Sequence, residues 1–239
     1  MKIDLTGYRR PALQFSGGKD SLALLYLLKD QLSDITVYWL NAGDSFPETL
    51  EVVQTVREMV PHFVEVRSDV AAWRQRNGTP TDLLPSSAHL IGVAYGLSDS
   101  TLTGRFDCCY YNIMAPMHDR MVADGVDLVI RGTKVSDTGK VPYEGPSEFY
   151  DVLLPIKDWT HEDVFSYLRN VGAPINRLYE HFTGHSAPEC MGCTAWWGDG
   201  KAQYLKANSP EKYQEYRVSL ESIRGALASH LQALDAELN

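Results

Sequence analysis

Short apolar runs alternate along this chain with segments whose apolar residues recur at helical spacing. Ala12 to Phe15, Ile35 to Leu40, Phe63 to Arg67, Leu128 to Gly132 and Val152 to Trp159 read as strands, several of them rich in β-branched and aromatic residues. Between them, Ser21 to Leu32 carries Leu22, Leu25, Tyr26 and Leu28 on one helical face, Pro47 opens a second helix with Glu48 in its first turn, and Val70 to Arg76 forms a shorter one broken by Asn77-Gly78-Thr79-Pro80. From there to Asp107 no clean period holds, and short helices with a loop are expected. Met114 to Gly125 predicts a helix. Thr160 with Asp163 caps another over His161 to Asn170, and Ser209-Pro210-Glu211 opens a last amphipathic helix. Apolar strands regularly alternating with helices predict an α/β fold: a mostly parallel, Rossmann-like sheet with flanking helices and a C-terminal helical segment.

Composition narrows this only a little. The 239 residues are 44% hydrophobic and 22% charged, enough to bury a sizeable core without disulfides. The pattern divides into residues 1–175, carrying the strand–helix alternation, and 176–239, carrying the second cysteine pair and the last helix, expected to pack on the same domain. No apolar run approaches a membrane span, and Met1-Lys2-Ile3-Asp4 opens no signal-peptide core, so the expected location is cytoplasmic. A net charge of −9 excludes a broad basic face for gripping nucleic acid, while leaving room for a local basic rim.

The chemistry concentrates first at Ser16-Gly17-Gly18-Lys19-Asp20-Ser21, set between a buried strand and a helix. Adjacent glycines let backbone N–H groups approach an anion, and the following helix aims its unpaired N–H groups and positive dipole end at the same point. Lys19 adds charge; Ser16 and Ser21 add hydroxyls. The spacing is not that of the Walker loop. The motif resembles the PP-loop of the N-type ATP pyrophosphatases, the adenine nucleotide α-hydrolase superfamily. That resemblance implies ATP bound with Mg²⁺, with Lys19, Ser16 and Asp20 in catalytic roles and Gly17, Gly18 and Ser21 completing the phosphate site.

Two further loops follow predicted strands, where open α/β sheets bind ligands. Asn41-Ala42-Gly43-Asp44-Ser45-Phe46-Pro47-Glu48-Thr49 resembles the Asp-Thr-Gly…Phe-Pro-Glu-Thr loop of the phosphoadenylylsulfate (PAPS) and adenylylsulfate (APS) reductases, with Asn41 in the place of the aspartate. Gly132-Thr133-Lys134 stands where that family has a Gly-Ile/Leu-Arg element. The resemblance implies that Asn41, Gly43, Asp44, Gly132 and Lys134 line the nucleotide.

All four cysteines fall into two pairs, Cys108-Cys109 and Cys190-Met191-Gly192-Cys193. In a reducing compartment such a set points to a metal centre, zinc or iron–sulfur, rather than to disulfides. Adjacent cysteines diverge along the backbone, which suits a cubane with separated irons better than one tetrahedral ion. The pattern resembles the [4Fe–4S] site of the assimilatory APS reductases, including Cys-x2-Cys-Thr at 190–194 and Pro116-Met117 after the first pair, and it implies all four cysteines as ligands. Trp196-Trp197 is expected to shield that site.

The likeness has gaps. Those reductases attack sulfur with a further cysteine on a Glu-Cys-Gly…His tail, whereas this chain ends Leu231 to Asn239 with no fifth cysteine. Their lysine near the cluster is matched here by Ile113. A full PP-loop with a cluster is instead similar to the ATP-pyrophosphatase component of DNA phosphorothioation systems, and more distantly to tRNA thiolation enzymes. What this implies is an enzyme that splits ATP to AMP and pyrophosphate, adenylating an acceptor for sulfur incorporation. It would work with a cysteine desulfurase-type sulfur donor and other subunits of a modification complex, with nucleic acid as a possible substrate and no membrane. Sulfonucleotide reduction is the alternative.

Overall fold

The structure, a computed structural model, describes residues 2–140, 143–182 and 187–239. In chain order its elements are β1 (Pro11–Phe15), α1 (Lys19–Leu27), β2 (Thr36–Asn41), α2 (Pro47–Met59), β3 (Phe63–Arg67), α3 (Val70–Asn77), β4 (Thr79–Thr81), α4 (Leu90–Ala94), β5 (Leu102–Gly104), α5 (Arg105–Cys109), α6 (Ala115–Ala123), β6 (Leu128–Ile130), α7 (Val135–Thr138), β7 (Asp151–Leu153), α8 (His161–Asn170), α9 (Lys201–Asn208) and α10 (Pro210–Leu238). They group into two interleaved units. A sheet unit takes Met1–Asn41, Ser45–Arg67 and Ala115–Glu180; a cysteine unit takes Ala42–Asp44, Ser68–Met114 and His181–Asn239.

The sheet unit is built on a five-stranded sheet in the order β3-β2-β1-β6-β7, parallel at every pairing. Side chains alternate between its faces as the pleat requires. Leu13, Phe15, Val37, Trp39, Leu128 and Ile130 pack on one side against Leu22 and Leu25 of α1, Val52 and Val56 of α2, and Val164 and Leu168 of α8. Ala12, Tyr38, Val129 and Val152 face the other side, against Met117 and Met121 of α6. Fully burying each large apolar side chain contributes about 1.5–3 kcal/mol, so two covered faces account for the near-continuous apolar strands.

Three expectations need correction. The first helix begins at Lys19, not Ser21, so the turn is only Ser16 to Gly18 and the last half of the motif is already helical. The final strand stops at Leu153, because Pro155 has no N–H to donate and the Lys157 and Trp159 N–H groups close turns onto the Leu154 and Ile156 carbonyls. Ser209 makes no side-chain cap; Pro210 at the first helical position fixes the start of α10. The Thr160–Asp163 capping box forms as expected, with Thr160 Oγ1 accepting from Asp163 N at 3.1 Å.

In the cysteine unit, β4 and β5 pair in parallel and Leu102 packs with Ala88 against Ile223 of α10. Strands of this length carry no readable period, which is why the sequence shows only a loop there. Among the described residues no helix is long and apolar enough to cross a membrane.

Candidate functional site

Strand order reverses between β1 and β6, and ligands of open parallel sheets sit outside the carboxyl ends at such a switch point. The segments following these two strands touch. A Cβ added to Gly132 would lie 2.9 Å from the Asp20 carbonyl carbon and 3.0 Å from the Ser21 nitrogen, so only bare backbone fits beside the start of α1.

The PP-loop is held from behind. Gly17 turns the chain at φ +79°, and a Cβ there would meet Thr49 Cγ2 at 2.7 Å. Asn176 Nδ2 donates to the Gly17 carbonyl at 3.3 Å and to Thr49 Oγ1 at 3.0 Å. Ser21 Oγ accepts from Ser16 N at 3.1 Å, lies 3.2 Å from Ser16 Oγ and donates to the Gly18 carbonyl at 3.1 Å. The Tyr179 hydroxyl accepts from Lys19 N at 3.0 Å, and burial raises its pKa further, keeping it a neutral phenol.

Charge within the loop is balanced. Lys19 Nζ donates to Asp20 Oδ2 at 2.8 Å, and Lys134 Nζ donates to Asp20 Oδ1 at 2.6 Å and to Asp137 Oδ1 at 2.8 Å. Asp137 Oδ2 also accepts from Lys134 N at 3.0 Å. Lys19 is 3% exposed, with the Phe165 and Tyr179 rings 5.9 and 5.6 Å from its ammonium. Lys134 is fully buried, its charge facing the two aspartates. Two lysines thus meet two aspartates, and the excess positive potential of the cradle comes from the amino end of α1. Tyr179 and Asn176 had no signal in the sequence, since they reach the loop from far along the chain; Asp137, three residues after Lys134, could have been found as its partner.

Within the cysteine unit lie all four cysteines, none in a disulfide, with Cys108 and Cys190 buried. Burial pushes the thiols of Cys108 and Cys190 up and that of Cys109 up to about 11, and charge on Cys193 adds to the effect at all three. Buried thiols that sense one another are neutral on their own and become thiolates when a soft metal takes their charge. Lys201, 2% exposed, donates Nζ to the carbonyls of Cys190 and Cys193 and lies 5.0 Å from the centre of the Tyr216 ring. Among the described residues no three His, Cys, Asp or Glu side chains converge on one point as a single ion requires. A cluster differs from a single ion in taking each thiolate at its own iron, and the four cysteines share one unit. Trp197 is 45% exposed and lines a cavity of about 470 Å³ with Leu83, Tyr216 and Leu231, so its ring is partly given to solvent.

The model of the phosphoadenosine phosphosulfate reductase domain family matches residues 10–83 and 110–195. This chain belongs to that family. Curated members similar to it include an adenosine 5'-phosphosulfate reductase of Bacillus cereus, 24% identical over 77% of this chain and 73% of its own length. A phosphoadenosine 5'-phosphosulfate reductase of Xylella fastidiosa is 25% identical over 73% of this chain and 69% of its own. Among solved structures, the phosphoadenylyl-sulfate reductase of Candida auris, in a phosphate complex, superposes with a TM-score of 0.55 at 14% identity, covering 77% of this chain and 86% of that one. The shared fold is the adenine nucleotide α-hydrolase-like one.

In this member of the PAPS reductase family the loop after β2 divides: Asn41 belongs to the sheet unit, Gly43 and Asp44 to the cysteine unit. Asn41 Nδ2 donates to Glu65 Oε1 at 2.9 Å; Arg57 Nη2 and Arg67 Nε reach the same carboxylate at 2.5 and 3.0 Å. Partial burial alone would raise the Glu65 pKa, but the hydrogen bonds from Asn41, Arg57 and Arg67 hold it at about 2. A carboxyl depressed from 4.5 contributes stability that is fully present above pH 4.5 and is lost as pH falls toward 2. Glu65→Gln should therefore lower the urea midpoint at pH 7 and flatten its fall between pH 4.5 and 2. A midpoint that tracks the parent at every pH would contradict this.

Proposed function

We propose that this family member is an ATP pyrophosphatase that adenylates an acceptor oxygen for sulfur incorporation, with DNA phosphorothioation or a related nucleic-acid thiolation as the setting. The observation that carries the reading is Asp20. Its carboxylate takes up the charge of Lys19 and Lys134, which leaves less positive charge for a bare phosphate or sulfate ester and suits a polyphosphate that arrives with a divalent cation. Mg²⁺ is held by one or two carboxylates together with the phosphates themselves, and Asp20 is the residue that would hold it. The ion supplies charge neutralisation on the phosphate oxygens.

The chain's own groups do the rest. The amino end of α1, the Gly17-Gly18 backbone and the Ser16 and Ser21 hydroxyls bind the β- and γ-phosphates. Lys19, released from Asp20 when that carboxylate takes the cation, offsets charge developing on the leaving pyrophosphate. Gly132 lets the end of β6 lie against the loop, placing the α-phosphate side. The acceptor oxygen attacks the α-phosphorus, the bond to the α–β bridging oxygen breaks, and pyrophosphate carries away the electron pair. The terminal sulfur of a persulfide on a cysteine desulfurase-type protein then attacks the activated acceptor centre and AMP leaves with the electron pair; a second thiol cleaves the remaining S–S bond, leaving sulfur on the acceptor and the carrier cysteine in a disulfide. Positioning and electrostatics suffice for the first step, with no protein nucleophile. Cys108, Cys109, Cys190 and Cys193 hold a [4Fe–4S] cluster in this reading.

The names of the relatives support a second reading, reduction of a sulfonucleotide to sulfite. One experiment separates the two. Anaerobically prepared protein is incubated with Mg²⁺ and ATP in the presence of duplex DNA and sulfide, and in parallel with APS or PAPS and a dithiol. Pyrophosphate and AMP from the first, with no sulfite from the second, is the expected result; sulfite without pyrophosphate overturns the proposal.

A further inference from the structure

Asp44, expected from the sequence beside the nucleotide, has another occupation within the cysteine unit. It is 7% exposed. Arg74 Nη1 donates to its Oδ2 at 2.8 Å, the Gly192 N–H donates to the same oxygen at 2.9 Å, and Lys212 Nζ stands 3.4 Å from Oδ1. The Asp44 carbonyl accepts from Met191 N at 2.7 Å. One residue thus grips both positions between Cys190 and Cys193 and fixes a guanidinium over them. A Cβ on Gly192 would lie 2.9 Å from Asp44 Oδ2 and 3.1 Å from Arg74 Nη1, so the loop is built for this close approach.

Beyond Asp44 the guanidinium faces sulfur. Its charge favours the thiolate at both Cys108 and Cys190, one cysteine from each pair. Its Nε is buried and has no hydrogen-bond partner among the described residues. An unsatisfied buried donor is costly, the more so on a charged group, and an anionic acceptor at the sulfurs is the partner that would satisfy it.

We propose that Arg74, held in place by Asp44, is the charge partner of the group bound by Cys108, Cys109, Cys190 and Cys193, offsetting its negative charge and setting its reduction potential. This rests on the cluster reading given above. A thiolate-ligated cluster is anionic and gains one further negative charge when it accepts an electron. A fixed cation beside it favours the reduced form, and hydrogen bonds to its sulfurs act in the same direction. Arginine suits the task because it keeps its charge whatever surrounds it. Arg74 acts through the cluster and is a positioning residue. Lys201, bonded to the Cys190 and Cys193 carbonyls, holds the loop backbone.

The test compares anaerobically purified, iron- and sulfide-reconstituted full chains: the parent, Arg74→Gln and Arg74→Lys. Iron content is measured, and the midpoint potential is read from visible bleaching and electron paramagnetic resonance during titration with dithionite and mediators. Arg74→Gln should shift the reduction equilibrium at least tenfold toward the oxidised form, about 59 mV for a one-electron couple, while Arg74→Lys keeps most of the parent value. Loss of iron from Arg74→Gln with retention in Arg74→Lys also supports the charge role. A fully loaded Arg74→Gln with an unmoved midpoint overturns the inference alone, as does equal loss of iron from both variants. A parent chain that holds no iron overturns the cluster reading and the inference with it.

Discussion

Lys134→Met should cost about 3 kcal/mol of stability, the low end of what removing one partner from a buried ion pair costs. Lys134 has no solvent exposure and is the shared cation of Asp20 and Asp137, so methionine leaves two carboxylates facing an apolar chain of similar length. The figure sits at the low end because Asp20 keeps Lys19 as a partner and both carboxylates retain some access to water. The deficit should appear as a lower urea midpoint with an unchanged slope, since the surface exposed on unfolding does not change. Its origin can be checked by adding Asp137→Asn. If the cost is an uncompensated carboxylate, the double variant recovers part of the loss, whereas independent effects would simply add. A single variant within 0.5 kcal/mol of the parent would show that the buried ammonium contributes nothing to the loop. Pyrophosphate release should fall as well, because Asp20 would then be drawn wholly to Lys19. Arginine is no substitute, having no room at a fully buried site shaped around a single ammonium.

That outcome bears on what the sequence could and could not convey. The strand–turn–helix at Ser16 to Ser21 was legible because its determinants are local: two glycines, a strand before them and a helix after, all within one short stretch. The parallel sheet was legible for a similar reason, since strands buried on both faces read as apolar runs. The destinations of Lys134 and Asp44 were not. Each follows a strand or sits in its loop, where nucleotide contacts are expected, but the partner that claims it comes from elsewhere in its unit: Asp20 for Lys134, and Arg74 with the Gly192 N–H for Asp44. A charge in a loop after a strand is equally suited to a ligand or to a buried counter-ion, and only three-dimensional neighbours separate the two. The cysteines show the converse. Their spacing implied that they gather, and they do fall in one unit; Arg74, on a short polar helix, carried no pattern linking it to them.

Gly132→Ala should have the largest effect on nucleotide chemistry of any single-methyl change in the sheet unit. The new carbon would stand 2.9 Å from the Asp20 carbonyl carbon, 3.0 Å from the Ser21 nitrogen and 3.1 Å from Asp20 Cβ. The first two of these are backbone at the start of α1, so relief requires moving the helix or the end of β6, and neither can yield by a side-chain rotation. Overpacking of this kind costs about 1–3 kcal/mol. The functional cost should exceed the structural one, because the displaced atoms belong to the phosphate site of the proposed reaction; misplacing reacting groups by about 1 Å can cost on the order of 10²-fold in rate. Pyrophosphate release from ATP should therefore fall about 10²-fold in protein that still unfolds cooperatively. Gly225→Ala is the matched control. It lies inside α10 with nothing within 4 Å of an added Cβ, so alanine there should leave turnover unchanged and add roughly 1 kcal/mol through helix propensity. Equal turnover in the two variants would mean that the close approach of β6 to the PP-loop does not position the nucleotide.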